Sequence, residues 1–330
     1  MDFSQLRDSP IFICGHPKSG TTLVRAILDS HPQLVVYPDE TFFFQGFTTN
    51  VANRTPDMKL SLGQRYLLHF FEAEGETPEQ RFTTYARTCE AMRVIIENNG
   101  CRHDGDLLSA AILAYGQNHG FLTPESRYWV EKTPYNEFFA DDIYALWPEA
   151  RCIHIVRDPR DNFTTYYKKH PDLAVERFAL GWNASLKAGL RNLKRYGSQR
   201  YLILRYEDLT QDPEKQLSLI VNFLGIRDDK SLRLPSRAGV VWQGNSMFGD
   251  KFTGISNKPL DRWKQNLSPK DEYVIETLSG SLMKKQGYPY QGKLALGQYL
   301  HTIYWMIKQA REIPRVVTKA LKRNFGMFPQ

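Results

Sequence analysis

Nothing in this chain of 330 residues approaches the roughly 20 apolar residues in succession that a membrane-spanning helix requires. Its first nine residues carry Asp2, Arg7 and Asp8 and no apolar run of the secretory kind, so the expectation is a soluble protein. Cysteine is scarce. Cys14, Cys89, Cys101 and Cys152 lack metal-ligand spacing, which argues against a zinc centre, and a Cys89–Cys101 bridge has nothing to support it. Cys14 and Cys152 fall in apolar runs, where cysteine behaves as a small hydrophobe, and a reducing cytoplasm suits the set. Basic runs interleaved with aromatics, zinc-finger spacing and RNA-binding aromatic motifs are all missing, so no nucleic-acid partner is expected. The balance of 43 basic against 36 acidic residues leaves +7, with a pI near 9.1, which favours anionic ligands, acidic substrates or an anionic membrane surface. With 42% hydrophobic residues the chain can bury a sizeable core in one large domain, with or without an insertion.

What is present is organised around residues 10 to 30. Ile11 to Cys14 is a short apolar run of strand type, whereas Leu23, Ala26 and Ile27 recur at helical spacing. Between them, Gly15 to Thr22 reads as a tight loop whose glycines permit close approach and whose unpaired N–H groups point at an anion, making a phosphate cradle. Gly15 and Gly20 fit the G-x-x-x-x-G-K-S/T pattern of nucleotide hydrolases up to the lysine, where Thr21 stands instead. The cation has moved into the loop, to Lys18, so conventional nucleoside-triphosphate chemistry is not expected.

Further along, Gln33 to Tyr37 reads as a strand, and Pro38-Asp39-Glu40-Thr41 turns the chain beside Phe42 to Phe44. A carboxylate here could take a proton from an acceptor hydroxyl; equally, Asp39 or Thr41 could start a turn and leave Glu40 solvated. Residues 45 to 126 carry helical patterns, including the capping box Thr77-Pro78-Glu79-Gln80, and suit both a helical cover and an acceptor pocket. Strands follow at Arg127 to Val130, before Glu131-Lys132-Thr133-Pro134, and at Ala150 to Val156, before Arg157-Asp158-Pro159-Arg160-Asp161. Arg157 offers planar charged donors suited to phosphate, and a helix from Pro159 would bring Thr165 back towards the strand end, with Thr164 as a reserve and Lys169 one turn on. A last strand, Tyr201 to Arg205, precedes Tyr206-Glu207-Asp208-Leu209. Residues 227 to 262 are polar and weakly periodic, and a loop of that length is usually functional.

Pro17-Lys18-Ser19-Gly20-Thr21-Thr22 resembles the 5′-phosphosulfate loop of sulfotransferases, which use 3′-phosphoadenosine 5′-phosphosulfate (PAPS). The likeness is closest to the tyrosylprotein sulfotransferase branch and runs on through Leu28-Asp29-Ser30-His31-Pro32 to Asp39-Glu40-Thr41. The resemblance implies Lys18 at the sulfate and bridging oxygen, where that branch has arginine. It implies Glu40 as base, Lys132 at the leaving phosphate, and Ser246, counted back from Arg262 before Trp263, as an assisting hydroxyl. It further implies Ser19, Gly20, Thr21 and Thr22 around the phosphosulfate, Arg157 and Thr165 with Lys169 at the 3′-phosphate, Tyr206 against the adenosine, and Arg262 as a further cofactor-binding residue.

The expectation is a three-layer α/β, P-loop-like domain over residues 1–292, with a parallel central sheet and a helical acceptor-side insertion at about 45–126. Residues 293–330 form a basic amphipathic helical extension that either docks on a membrane surface or partner or packs on the domain. The expected reaction is sulfuryl transfer from PAPS, without a metal, to a hydroxyl of a small molecule, glycan, lipid or tyrosine peptide. A magnesium-dependent kinase-like phosphotransferase and a non-catalytic nucleotide-binding protein docked through its C-terminal helix are the alternatives. Should Glu40 not be the base, His16 and His31 are the histidines nearest the loop.

Overall fold

Apolar and β-branched runs form the strands, because residues buried on both faces need no polar alternation. The computed structural model describes residues 3–68 and 77–290. Five strands pair in parallel: β1 (Pro10–Cys14), β2 (Leu34–Val36), β3 (Tyr128–Lys132), β4 (Arg151–Val156) and β5 (Tyr201–Arg205), in spatial order β2-β3-β1-β4-β5. Central β1 sets Ile11 opposite both Val130 and Arg151. Parallel pairing forces each connection to cross over the sheet, and helices provide the crossings.

Alternation along β1 sends its residues into two cores. Ile11 and Ile13 join Val24 and Ile27 of the helix Thr21–Leu28 and Leu217 and Ile220 of the helix Pro213–Leu224. Phe12 and Cys14 join Trp129, Trp147 and the helix Gly105–Asn118, which is apolar nearly all round and is buried accordingly. A third cluster, with Phe163, Trp182 and Ile275, packs the helices Pro159–Tyr167, Val175–Tyr196 and Pro269–Lys285 together. The result is the expected three-layer α/β architecture with a parallel sheet.

Local sequence sets the helix starts. Thr77 Oγ1 accepts from Gln80 N while Thr77 N donates to Gln80 Oε1, so Pro78–Asn99 opens on a complete capping box. Asp158, Asp212 and Ser268 cap the three helices that begin at Pro159, Pro213 and Pro269, where a missing N–H costs nothing. Between β2 and β3 the described residues include Pro56–Leu67, Pro78–Asn99 and Gly105–Asn118, all helical. Residues 227–262 hold one turn of 3₁₀ helix, Lys230–Arg233, and a hairpin of two-residue strands, and are otherwise irregular. All four cysteines are free. No helix of the described residues is long and apolar enough to cross a membrane. The extension at 293–330 lies outside the described residues.

Candidate active site

The loop after β1 is fixed from beneath. Gly15 has φ +139° and lies so close to β4 that a Cβ there would stand 2.4 Å from Ile155 O. Gly20, φ +112°, faces Tyr206, whose ring would meet an added Cβ at 2.5 Å. Both positions therefore require glycine. Gly15 N donates to Glu137 Oε2 at 2.9 Å, Ser19 Oγ donates to Ile155 O at 3.0 Å, and Asn162 Nδ2 donates to Pro17 O at 3.1 Å. Glu137 is buried, and desolvation pushes its carboxyl up to about 7. Lys18 is the exception within the loop, a non-glycine residue at φ +66°. Its ammonium lies 3.6 Å from Met247 Sδ, and burial, followed by repulsion from Lys169, lowers its pKa.

Above the loop opens a cavity of about 580 Å³. Its floor includes Lys18, Gly20, Thr21, Thr22, Arg157, Thr165, Lys169 and Tyr206. Arg157 leaves the end of β4 with its guanidinium over the Tyr206 ring, 4.6 Å from the centroid. It donates to Thr165 Oγ1 at 3.3 Å and to Pro259 O at 2.9 Å, and its Nε has no partner. The helix Pro159–Tyr167 does bring Thr165 back to the strand end, whereas Thr164 is buried and bonds Arg160 O. Ser19 does not line the cavity: its hydroxyl is spent on the β4 carbonyl, so the side chain, proposed from sequence as a ligand, is turned away.

The roof comes from residues 242–262. Ser246 and Arg262 are brought together there through Asp250, whose Oδ2 accepts from Ser246 Oγ and from Arg262 Nη2, each at 2.6 Å. These two bonds hold the Asp250 carboxyl below its ordinary range. Arg262 also lies 4.6 Å from the Phe248 ring centroid. The end of the roof is tied to the helix beneath it by Asp161, which accepts from Asp261 N at 2.8 Å and Trp263 N at 2.9 Å.

Glu40 stands at the cavity edge, and its Oε1 accepts from Lys132 Nζ at 2.5 Å. Lys132, at the end of β3, is almost fully buried and lines an adjoining cavity of about 500 Å³ rather than the first. Glu40, Thr22, Phe42, Trp242 and Asn245 border both spaces. The turn carrying Glu40 is braced by Glu131, which accepts from Thr41 Oγ1 at 2.9 Å, from Asn136 Nδ2 at 2.7 Å and from Thr133 Oγ1. His16 and His31 are buried and line neither cavity, and desolvation pulls His16 down to about 4.

Sequence reasoning passed over Glu131, Glu137, Asp161 and the roof residues Trp242, Asn245, Met247 and Phe252. Asp161 alone carried a usable signal, as the second acidic residue of Arg-Asp-Pro-Arg-Asp in the first turn of a helix.

Comparison with known proteins gives the family and the fold. The family model described as "Sulfotransferase family" matches residues 10–230. A putative protein-tyrosine sulfotransferase of Caenorhabditis briggsae is 26% identical over 234 residues, 68% of this chain and 67% of its own length. Protein-tyrosine sulfotransferase A of Caenorhabditis elegans is 27% identical over 236 residues, 68% of this chain and 53% of its own length. The chain thus spans about two thirds of the first relative and about half of the second. The solved sulfotransferase domain of the Synechococcus PCC 7002 olefin synthase superposes with a TM-score of 0.53 at 22% identity, covering 86% of this chain and 96% of that domain, a likeness of fold.

Proposed function

Because the chain belongs to the sulfotransferase family, we propose that it moves a sulfuryl group from PAPS to an acceptor hydroxyl, with Glu40 as base. The observation that carries this reading is the shared space: the Lys18 loop, the Arg157–Thr165 pair and Glu40 all border one cavity. Two separated cationic stations, one at a helix N-terminus and one at a strand end, suit a nucleotide phosphorylated at both its 5′ and 3′ positions. The unpartnered Nε of Arg157 is in keeping with a ligand there. Tyr206, stacked under Arg157, is suited to an apolar ring face.

In this mechanism Glu40 takes the hydroxyl proton as the acceptor oxygen attacks sulfur and the bond from sulfur to the bridging phosphate oxygen breaks. The electron pair of that bond stays on the departing 3′-phosphoadenosine 5′-phosphate, and Lys18 with the loop N–H groups opposes the growing charge. Lys132 holds the Glu40 carboxylate in place from the adjoining cavity. Ser246, held by Asp250 and Arg262, presents its hydroxyl from the roof.

The test is calorimetric titration with 3′-phosphoadenosine 5′-phosphate in EDTA, set beside ATP with and without magnesium. Metal-independent binding of the bisphosphate, tighter than that of ATP, is expected. Tight ATP binding that needs magnesium would overturn the reading in favour of phosphoryl transfer.

A further inference from the structure

Glu40 and Lys132 stand on separate turns, and both turns are bonded to one buried carboxylate that lines neither cavity. Glu131, next to Lys132 on β3, is 1% exposed. Its Oε1 accepts from Thr41 Oγ1 at 2.9 Å and Thr41 N at 3.3 Å, on the turn that carries Glu40, and from Thr133 Oγ1, on the turn that follows Lys132. Thr133 Oγ1 in turn accepts from Phe42 N at 3.3 Å, and Tyr135 N donates to Gly15 O at 3.1 Å. Phe42, at φ +50°, and Tyr135, at φ +71°, are thereby held in the left-handed region, a strain that persists only where the surroundings enforce it. The other oxygen of Glu131, Oε2, accepts from Asn136 Nδ2 at 2.7 Å. Asn136 opens the 3₁₀ helix Asn136–Phe139, whose Glu137 holds Gly15 N and is itself fastened by Ser185 Oγ and, through its carbonyl, by Asn192 Nδ2 at 2.7 Å. Residues 131–137 therefore tie the Glu40 turn at one end and the loop after β1 at the other. The donors to Glu131 are hydroxyls, an amide and a backbone N–H, none of them a cation, and burial raises its carboxyl above the ordinary value. A carboxyl kept in the core without an ion pair costs free energy that packing alone does not explain.

We propose that Glu131 is a positioning residue for sulfuryl transfer: by anchoring the Glu40 turn to the segment that also holds the loop after β1, it fixes the base relative to the sulfur bound above that loop. The inference rests on the reading of Glu40 as base. Glu131 acts on the chemical step, through Glu40, because the base must lie within hydrogen-bond reach of the hydroxyl during attack, and a displacement of about 1 Å costs on the order of 10² in rate. The loop keeps supports of its own in Glu137, Ile155 O and Asn162, so nucleotide affinity does not depend on Glu131.

The experiment uses the full chain, with calorimetry of 3′-phosphoadenosine 5′-phosphate and turnover of labelled PAPS with the best hydroxyl acceptor found by screening. Thr41→Val removes one hydroxyl bond to Glu131 and keeps the shape of the side chain; it should leave bisphosphate affinity within about twofold of wild type and lower kcat about tenfold. Glu131→Leu removes the whole anchor and should lower kcat about a hundredfold. Glu131→Gln should return kcat to within about fivefold of wild type, because the Asn136 amide can reverse and offer the new NH₂ its Oδ1, which has no hydrogen-bond partner. The deciding measurement is made in the Glu40→Gln background, where Thr41→Val and Glu131→Leu should each change the residual turnover less than about twofold, since no base is left to misplace. Equal losses in both backgrounds, or a Glu131→Gln as slow as Glu131→Leu, overturn the positioning role and make Glu131 a structural brace. If Glu131→Leu does not fold, Thr41→Val in the two backgrounds decides alone. A wild type that does not bind the bisphosphate, or a Glu40→Gln as active as wild type, overturns the sulfuryl-transfer reading first and the positioning role with it, so the two failures are told apart.

Discussion

The floor and the roof of the main cavity face the same space but are held by different means. The floor is backbone geometry: glycines pressed on β4 and Tyr206, a loop bonded to Ile155 O, and Glu137 beneath it. Residues 242–262 of the roof contain no strand and are fastened by side chains, chiefly Asp161, Arg157 and the Ser246–Asp250–Arg262 knot. A floor of that kind fixes where a ligand's charges must lie. A roof of this kind can be re-cut for a different acceptor without disturbing the sheet.

The comparison breaks most sharply at the seam between the two, where Glu40 stands. Glu40→Gln should leave bisphosphate affinity unchanged and cut turnover by roughly 10² to 10⁴, measured as release of labelled sulfate to the best hydroxyl acceptor found by screening. Turnover within about threefold of wild type removes Glu40 from the role of base. A smaller effect, confined to binding, is expected on the floor. Arg157→Ala should weaken bisphosphate affinity by about 2 to 4 kcal/mol, and adenosine 5′-phosphosulfate, which lacks the 3′-phosphate, should no longer be bound more weakly than PAPS. Equal affinity in variant and wild type would detach Arg157 from the nucleotide.

The smallest effect tests the underpinning of the floor. A carboxyl raised to about 7 by burial favours the protonated fold, so its contribution to stability is present at low pH and is lost as pH rises through 7. Glu137→Gln cannot lose a proton there, and its stability relative to wild type should rise by about 1 kcal/mol between pH 6 and 8, read from urea midpoints. The difference is the proper readout. Buried His16 and His154, lowered to about 4 and 3, act in the opposite direction as pH falls below 6.5, but they do so in both proteins.

The strands and the loop were legible because they are local: an apolar run, two glycines and a helical repeat lie within one short stretch. Lys18, Glu40 and Arg157, singled out through their motifs, border one cavity. The bond from Lys132 to Glu40 spans 92 residues, and the brace from Glu131 to Thr41 spans 90, so no window on the chain contains either. The hydroxyl of Ser19 goes to the carbonyl of Ile155, 136 residues away, a partner that the loop's own sequence does not reveal. The roof was legible only as a long irregular segment. Its order comes from partners such as Asp161, about 100 residues earlier, rather than from any repeat of its own.

The positive φ of Lys18 has an evolutionary consequence. A lysine held in the left-handed region stores on the order of 1 kcal/mol of backbone strain, which glycine would relieve at once. On the reading given above, that same lysine carries the charge facing the leaving group. A library sorted for thermal resistance alone should therefore enrich glycine at position 18 and discard the cation, whereas a library sorted for sulfuryl transfer should keep lysine or arginine and tolerate the strain. Selection for a quieter loop and selection for a working one pull position 18 in opposite directions.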